Sequence, residues 1–288
     1  MKLLSIGEIL WDVIGGEEYL GGAPFNLAAH AVRLGDSASL LSAVGSDERG
    51  RRAIAMAERL GVDTRYLSVT RQADTGIATV LSGEAGNAQW QIVRPGAYDF
   101  LTPSEALLAD SFDAICYGTL LQTFEPAHRA TERILETFPE SIHFYDVNLR
   151  PSHYDLKLVE KLMAMASIVK LNDSEAEAIG GRTSCSLEDF CKSQARLFGL
   201  DAIAVTRGEK GCAVFSGGEY AESPAVAVKV ADTIGAGDAF SAAFLHGVVA
   251  TWPAARIADY ANRVCALVAS RHGAIPEWNI EELEQPIQ

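Results

Sequence analysis

Asp232-Thr233-Ile234-Gly235-Ala236-Gly237-Asp238-Ala239-Phe240 is the stretch from which the rest of the chain is read. Three residues with almost no side chain lie between two aspartates, and an apolar, alanine-rich segment follows from Ala239 to Ala250. That pattern predicts a backbone turn feeding a helix. Small residues leave amide N–H groups bare, and the first turn of a helix leaves its N–H groups without intrahelical partners. Such a terminus attracts anions, phosphate above all. Asp238 is the unusual member, because a carboxylate at the mouth of an anion site repels the anion. It belongs there if it takes a proton from a hydroxyl that attacks phosphorus. Alone, the run also suits an ordinary capping aspartate after a glycine turn.

The chain has 288 residues, 48% of them hydrophobic and 22% charged, which is enough to bury a large core. Lys+Arg 24 against Asp+Glu 38 leaves a formal charge of -14. Nucleic acid and anionic membrane both repel such a chain, so neither is expected as a partner. Any phosphate must be held by backbone dipoles and a local cation. Cys116, Cys185, Cys191, Cys212 and Cys265 are odd in number and lack CxxC spacing, which argues against a disulfide framework or a zinc site. No apolar run is long enough to span a bilayer, and the opening Met1–Gly7 reads as a strand. A reducing, cytoplasmic location is expected.

Short apolar runs alternate with longer amphipathic ones. Strands are predicted at Leu3–Ile6, Ser39–Val44, Ala114–Tyr117, Ile142–Val147, Ile168–Leu171 and Ala202–Thr206. Helices are predicted at Pro24–Leu34, Arg49–Leu60, Ala127–Phe138, Leu156–Ala166 and Leu187–Phe198, with Gly35 and Gly61 as stop signals for the first two. This alternation argues for one α/β sandwich around a mostly parallel sheet, with ligands at the carboxyl ends of the strands. Residues 75 to 100 break the rhythm. There Thr79–Ser82 and Ala88–Val93, separated by Gly83–Asn87, predict a hairpin that stands off the body as a lid or a dimer contact.

No GxxxxGK[ST], strand-linked GxGxxG or GxSxG is present, and the six histidines show no metal-ligand spacing. Phosphate chemistry therefore rests on the 232–240 run. Near the amino terminus, Gly7-Glu8-Ile9-Leu10-Trp11-Asp12 follows the first strand, and Gly21-Gly22-Ala23-Pro24-Phe25-Asn26 opens a helix. The double glycine lets a polyol approach the backbone, and Pro24 suits a first helical turn. Asp12 and Asn26 supply a carboxylate and an amide suited to sugar hydroxyls. Trp11 and Phe25 suit either a pocket wall or the core.

Taken together, Gly21-Gly22…Asn26 and Asp232–Phe240 resemble the two signatures of the ribokinase, or PfkB, family of sugar and nucleoside kinases, in the right order and over nearly the whole length. The resemblance implies a ribokinase-like three-layer sandwich with a small β-sheet lid, and ATP and Mg²⁺ as cofactors. It implies that Asp238 is the catalytic base and that the N–H groups of Gly235, Ala236 and Gly237, with that of Asp238, receive the γ-phosphoryl. Asn172-Asp173-Ser174-Glu175 is similar to the family's NxxE motif, which organises Mg²⁺ and its waters. From the residues alone, Asn172 and Glu175 read as a helix cap and its capping-box partner. Thr206-Arg207-Gly208-Glu209-Lys210-Gly211 resembles the family's TxGxxG nucleotide loop, and Asn262 falls where members often carry an adenine-side residue. Asp232 and the carbonyl of Ile234 align with a monovalent-cation loop, so a K⁺ requirement is an open expectation.

Residues 7–12 and 21–28 are similar to the fructokinase branch, as are Tyr145-Asp146-Val147-Asn148-Leu149-Arg150-Pro151 and Arg94-Pro95-Gly96-Ala97-Tyr98-Asp99. The branch implies D-fructose as acceptor, with Asp12, Gly21, Gly22 and Asn26 around the sugar and Arg94 reaching it from the lid. Another acceptor (2-keto-3-deoxygluconate, ribose, tagatose phosphate or a nucleoside) stays open, as does a sugar-binding regulator without turnover. Family members often dimerise through the lid, which suits an apolar hairpin face.

Overall fold

A computed structural model describes residues 1–82, 89–151, 153–180 and 185–284. In chain order the elements begin with β1 (Lys2–Ile6), β2 (Leu10–Ile14), β3 (Glu17–Gly21), α1 (Ala23–Arg33), β4 (Ser37–Gly45), α2 (Glu48–Arg59), β5 (Leu67–Thr70), β6 (Gly76–Ser82) and β7 (Gln89–Ile92). They continue through α3 (Glu105–Leu108), β8 (Ala114–Gly118), α4 (Thr119–Gln122), α5 (Glu125–Thr137), β9 (Ile142–Asp146), α6 (Leu156–Ala164), β10 (Ile168–Asn172), α7 (Asp173–Gly180) and α8 (Leu187–Phe198). The carboxyl-terminal elements are β11 (Ala202–Thr206), β12 (Cys212–Ser216), β13 (Glu219–Ser223), α9 (Ala236–Val249) and α10 (Ala254–Ala269).

Nine strands form the large sheet in the order β13-β12-β11-β10-β9-β8-β1-β4-β5. Neighbours from β5 to β11 pair in parallel, and β12 and β13 close one edge as an antiparallel hairpin. Side-chain alternation along these strands makes the layers, because successive residues point to opposite faces. Ala114, Cys116, Ala202 and Ala204 enter the core under α1, α9 and α10. Ile115, Tyr117, Ile203 and Val205 enter the opposite core, under α5, α6 and α8. Two helical layers thus cover a strand array buried on both faces, as a parallel sheet requires.

The second sheet, β3-β2-β6-β7, is larger than the hairpin read at 75–100. Its central pair is β2 and β6, parallel and in register from Leu10↔Gly76 to Val13↔Thr79, and β3 and β7 flank them. No strand was expected from sequence over residues 10–21, where Gly15-Gly16 and Glu17-Glu18-Tyr19 interrupt the apolar pattern. The turn expected at Gly83–Asn87, with Ala88, lies outside the described residues. Asp12 consequently stands on a strand of the small sheet.

Trp11 and Phe25 are core residues, with Trp11 donating its indole N–H to the Arg49 carbonyl (3.1 Å). Phe244, fully buried on α9, meets Phe144 of β9 edge-on at 5.8 Å and stacks near Phe240 at 6.4 Å. It joins the site-bearing helix to the sheet. Phe244→Ala should cost about 3–5 kcal/mol of unfolding free energy. A urea titration should show a lower midpoint with an unchanged slope.

Candidate active site

The site begins at the two helix termini that meet above the carboxyl edge of the large sheet. Gly22 precedes α1 with φ 111, and a Cβ there would stand 2.4 Å from the Glu8 carbonyl oxygen. Gly21 leaves room for the Asp12 carboxylate, since a Cβ would lie 2.3 Å from Oδ2. Gly235 precedes α9 in the left-handed conformation (φ 77), with the Ala274 carbonyl 2.2 Å from where its Cβ would be. Ala236, Gly237 and Asp238 then form the first turn of α9, whose N–H groups have no intrahelical partner, although Ala236 N makes a long bond (3.4 Å) to the Thr233 carbonyl. The Asp232 carboxylate shapes this approach by accepting from Ile234 N (3.0 Å) and Gly273 N (3.1 Å).

Asn26 and Asp238, 212 residues apart, are joined by one hydrogen bond: Asn26 Nδ2 donates to Asp238 Oδ2 at 2.8 Å. Only the NH₂ end of the amide can face a carboxylate, so its oxygen points elsewhere. That oxygen is buried and has no partner. An unmatched buried acceptor costs about 1–3 kcal/mol, and a ligand hydroxyl would satisfy it.

Three carboxyls converge here. Burial, opposed by the Asn26 bond and reinforced by Asp146, pushes Asp238 up to about 6. Burial likewise lifts Glu8 to about 7 and Asp12 to about 7, with Asp238 adding repulsion to each. The cation opposing all three is Arg150. Asn148, just past β9 with φ 38, accepts from the Arg150 guanidinium at 2.8 Å and so turns it toward the cluster. Glu8, Asn148 and Arg150 line one cavity with Thr119 and Asp146.

Arg94 is arranged differently from expectation. Its guanidinium pairs with the fully buried Asp99 and donates to the Leu120 carbonyl and the Thr123 hydroxyl. Bound on three sides, it anchors the segment after the lid; of the three carboxyls its charge acts on Glu8, whereas Arg150 acts on all three. Asn262 also differs: its amide donates to the carbonyls of Ser223 (3.0 Å) and Pro224 (3.2 Å), holding the end of β13. Asn172 and Glu175 form the reciprocal box at the start of α7, with Glu175 N donating to Asn172 Oδ1 and Asn172 N to Glu175 Oε2. Glu175 Oε1 additionally accepts from Leu149 N at 2.8 Å. Thr206 ends β11, and the turn from Gly208 to Gly211 closes with Arg207 N donating to the Gly211 carbonyl at 2.8 Å.

Several members had no assigned role from sequence. Glu8, Asp146, Asn148 and Arg150 were quoted only as parts of motifs. Lys170 carried a signal of its own, a lysine inside the apolar strand Ile168-Val169-Lys170-Leu171-Asn172, and it lies 6% exposed against Asp146.

The raised carboxyls make stability depend on pH. Glu8 holds its proton in the folded state up to about pH 7 but loses it near 4.5 when unfolded, so the folded state binds more protons between these values. Stability therefore falls as pH rises through that window. Glu8→Gln should match the parent at pH 5 and exceed it at pH 8 by about 1–3 kcal/mol, measured by chemical denaturation. Equal differences at both pH values would refute the assignment.

Comparison with known proteins agrees with this architecture. The model of the pfkB family carbohydrate kinases matches residues 6–280. Fructokinase-2 of Solanum lycopersicum is 28% identical over 95% of this chain and 92% of its own length. An uncharacterized sugar kinase from Pyrococcus horikoshii, solved in complex with ATP, superposes with a TM-score of 0.84 at 26% identity, covering 97% of this chain and 96% of that one. A fructokinase from Vibrio cholerae O395, solved with fructose, ADP and calcium ion, gives 0.85 at 24% identity over 100% and 99% and shares the fold. The fold is ribokinase-like, and the chain belongs to the pfkB family of carbohydrate kinases, phosphotransferases that act on an alcohol group.

Proposed function

We propose that this kinase transfers the γ-phosphoryl group of ATP to D-fructose, giving fructose 6-phosphate, with Asp238 as the base. The observation that carries the base assignment is the Asn26–Asp238 pair. It holds a desolvated carboxylate at the amino terminus of α9, beside the unmatched Asn26 oxygen. An acceptor hydroxyl would donate its proton to Asp238 while its oxygen attacks phosphorus. The N–H groups of Gly235, Ala236 and Gly237 would receive the charge that develops on the transferring group. Asp12, Gly21, Gly22 and Asn26 would hold the sugar, with Arg150 opposite. The choice of fructose is supported by the likeness to fructokinases along nearly the whole chain.

ATP would lie over the Thr206–Gly211 loop, toward the end of β13 that Asn262 secures. Among the described residues no cluster of three or more His, Cys, Asp or Glu is built to grip a metal directly. Glu175 accepts two backbone N–H groups and keeps lone pairs for water, a donor set that fits Mg²⁺ held through its hydration shell. Bound there, Mg²⁺ would neutralise phosphate charge. The loop clamped by Asp232 and carrying the Ile234 carbonyl fits a K⁺ requirement.

We read the whole chain as a single kinase domain, its small sheet acting as lid and dimer contact. Among the described residues no helix is long and apolar enough to cross a membrane. The buried thiols of Cys116, Cys191 and Cys212 are in keeping with a reducing, cytoplasmic setting.

A panel of fructose, ribose, 2-keto-3-deoxygluconate and nucleosides, assayed by ADP release, tests the acceptor. Fructose should give the highest kcat/KM, and a larger value for another acceptor would overturn that choice. Sugar binding without ADP release from any of them would favour the regulator reading instead. Asp238→Asn should lower kcat by about 10²- to 10⁴-fold with ATP affinity nearly intact. In the parent, kcat/KM should rise with pH through about 6, as the Asp238 carboxyl ionises, and then level. Near-normal turnover in the variant would remove Asp238 from the role.

A further inference from the structure

Lys170 lies in the middle of the large sheet, where a charged side chain needs a reason. Its register partner on β9 is Asp146, and both point to the α9 face of the sheet. Lys170 Nζ donates to Asp146 Oδ1 at 3.1 Å, and the two side chains are each 7% exposed. The other carboxylate oxygen, Oδ2, accepts from Ser241 Oγ at 2.6 Å, and Ser241 lies 2.9 Å from the Gly237 carbonyl on the same helix. A chain of contacts therefore runs from the lysine to the first turn of α9.

The ammonium faces that turn. A Cβ built on Gly237 would lie 3.7 Å from Lys170 Nζ, and apart from Ala236, Asp238 and the backbone of α9 no other atom comes within 4 Å of that point. An ammonium has three N–H groups, and the Asp146 bond uses one of them. Burial disfavours its charged form. Asp146, Glu175 and Asp238 outweigh burial and hold the pKa above the ordinary lysine value. If stability were the purpose, an apolar pair of similar volume would serve as well or better. A fixed cation beside the bare N–H groups of a helix terminus is instead suited to a polyphosphate.

Building on the kinase reading of this site, we propose that Lys170 is a phosphate-contacting cation. With ATP bound, its ammonium donates to a γ-phosphoryl oxygen lying over Gly237, and Asp146, held by Ser241, positions it there. The double variant Lys170→Met/Asp146→Asn removes both buried charges together, and Lys170→Arg keeps the cation with a different head. Calorimetric titration with ADP and with a non-hydrolysable ATP analogue, both with Mg²⁺, gives the readout independent of turnover. The double variant should bind ADP as the parent does, lose about tenfold in affinity for the analogue relative to ADP, and lose about 10²- to 10³-fold in kcat. Lys170→Arg should recover part of each loss. An unchanged ratio of the two affinities would overturn the proposal. If the double variant does not fold, Lys170→Arg decides: a change confined to the analogue supports the contact, and equal change for both nucleotides overturns it. Parent protein that binds neither nucleotide would overturn the kinase reading itself.

Discussion

The hydrogen bond from Asn26 to Asp238 is the contact on which the site depends. It ties the first helix of the chain to the ninth at their amino termini, the ends where backbone N–H groups lack partners. A carboxylate so placed is drawn by the helix dipole toward ionisation and by burial toward neutrality. Burial wins by a modest margin, which leaves Asp238 near 6 and ionised at neutral pH. The same bond fixes the amide so that its oxygen is left without a donor.

Charge around this contact is arranged by strand register. Parallel neighbours at the sheet's carboxyl edge bring Asp146 beside Lys170, and the turn after β9 brings Arg150 toward Glu8, Asp12 and Asp238. One cation thus stands beside the cluster of Glu8, Asp12 and Asp238, and another beneath the first turn of α9. In a chain with a formal charge of -14, these local cations matter more than any long-range field, because a remote field is screened and here has the wrong sign.

Much of the fold was legible because its signals are local. Gly35 and Gly61 marked helix ends, and β-branched runs such as Ile168–Leu171 and Ala202–Thr206 stood as strands between amphipathic segments. Residues 10–21 were not legible as strands, since their pairing with β6 is long-range and their exposed face is polar. Arg94 shows the same limit in the site. A motif suggested reach toward a ligand, while Asp99, Leu120 and Thr123 had prior claim on its donors. Asn262 is similar: spacing could not show that its amide is held by the carbonyls that end β13.

The sequence by itself determined the layer architecture, the two glycine-bearing helix starts and the identity of the acid at the second, because periodicity and turn chemistry act over a few residues. Tertiary structure alone decided which groups face one another: Asn26 with Asp238, Lys170 with Asp146, Arg150 with three carboxyls. Those pairings come from segments far apart in the chain, and the low dielectric in which they meet exists only once the layers close. Burial, unlike spacing, is a property of the folded whole, and burial is what lifts the carboxyl of Asp238, at the start of a helix, to about 6.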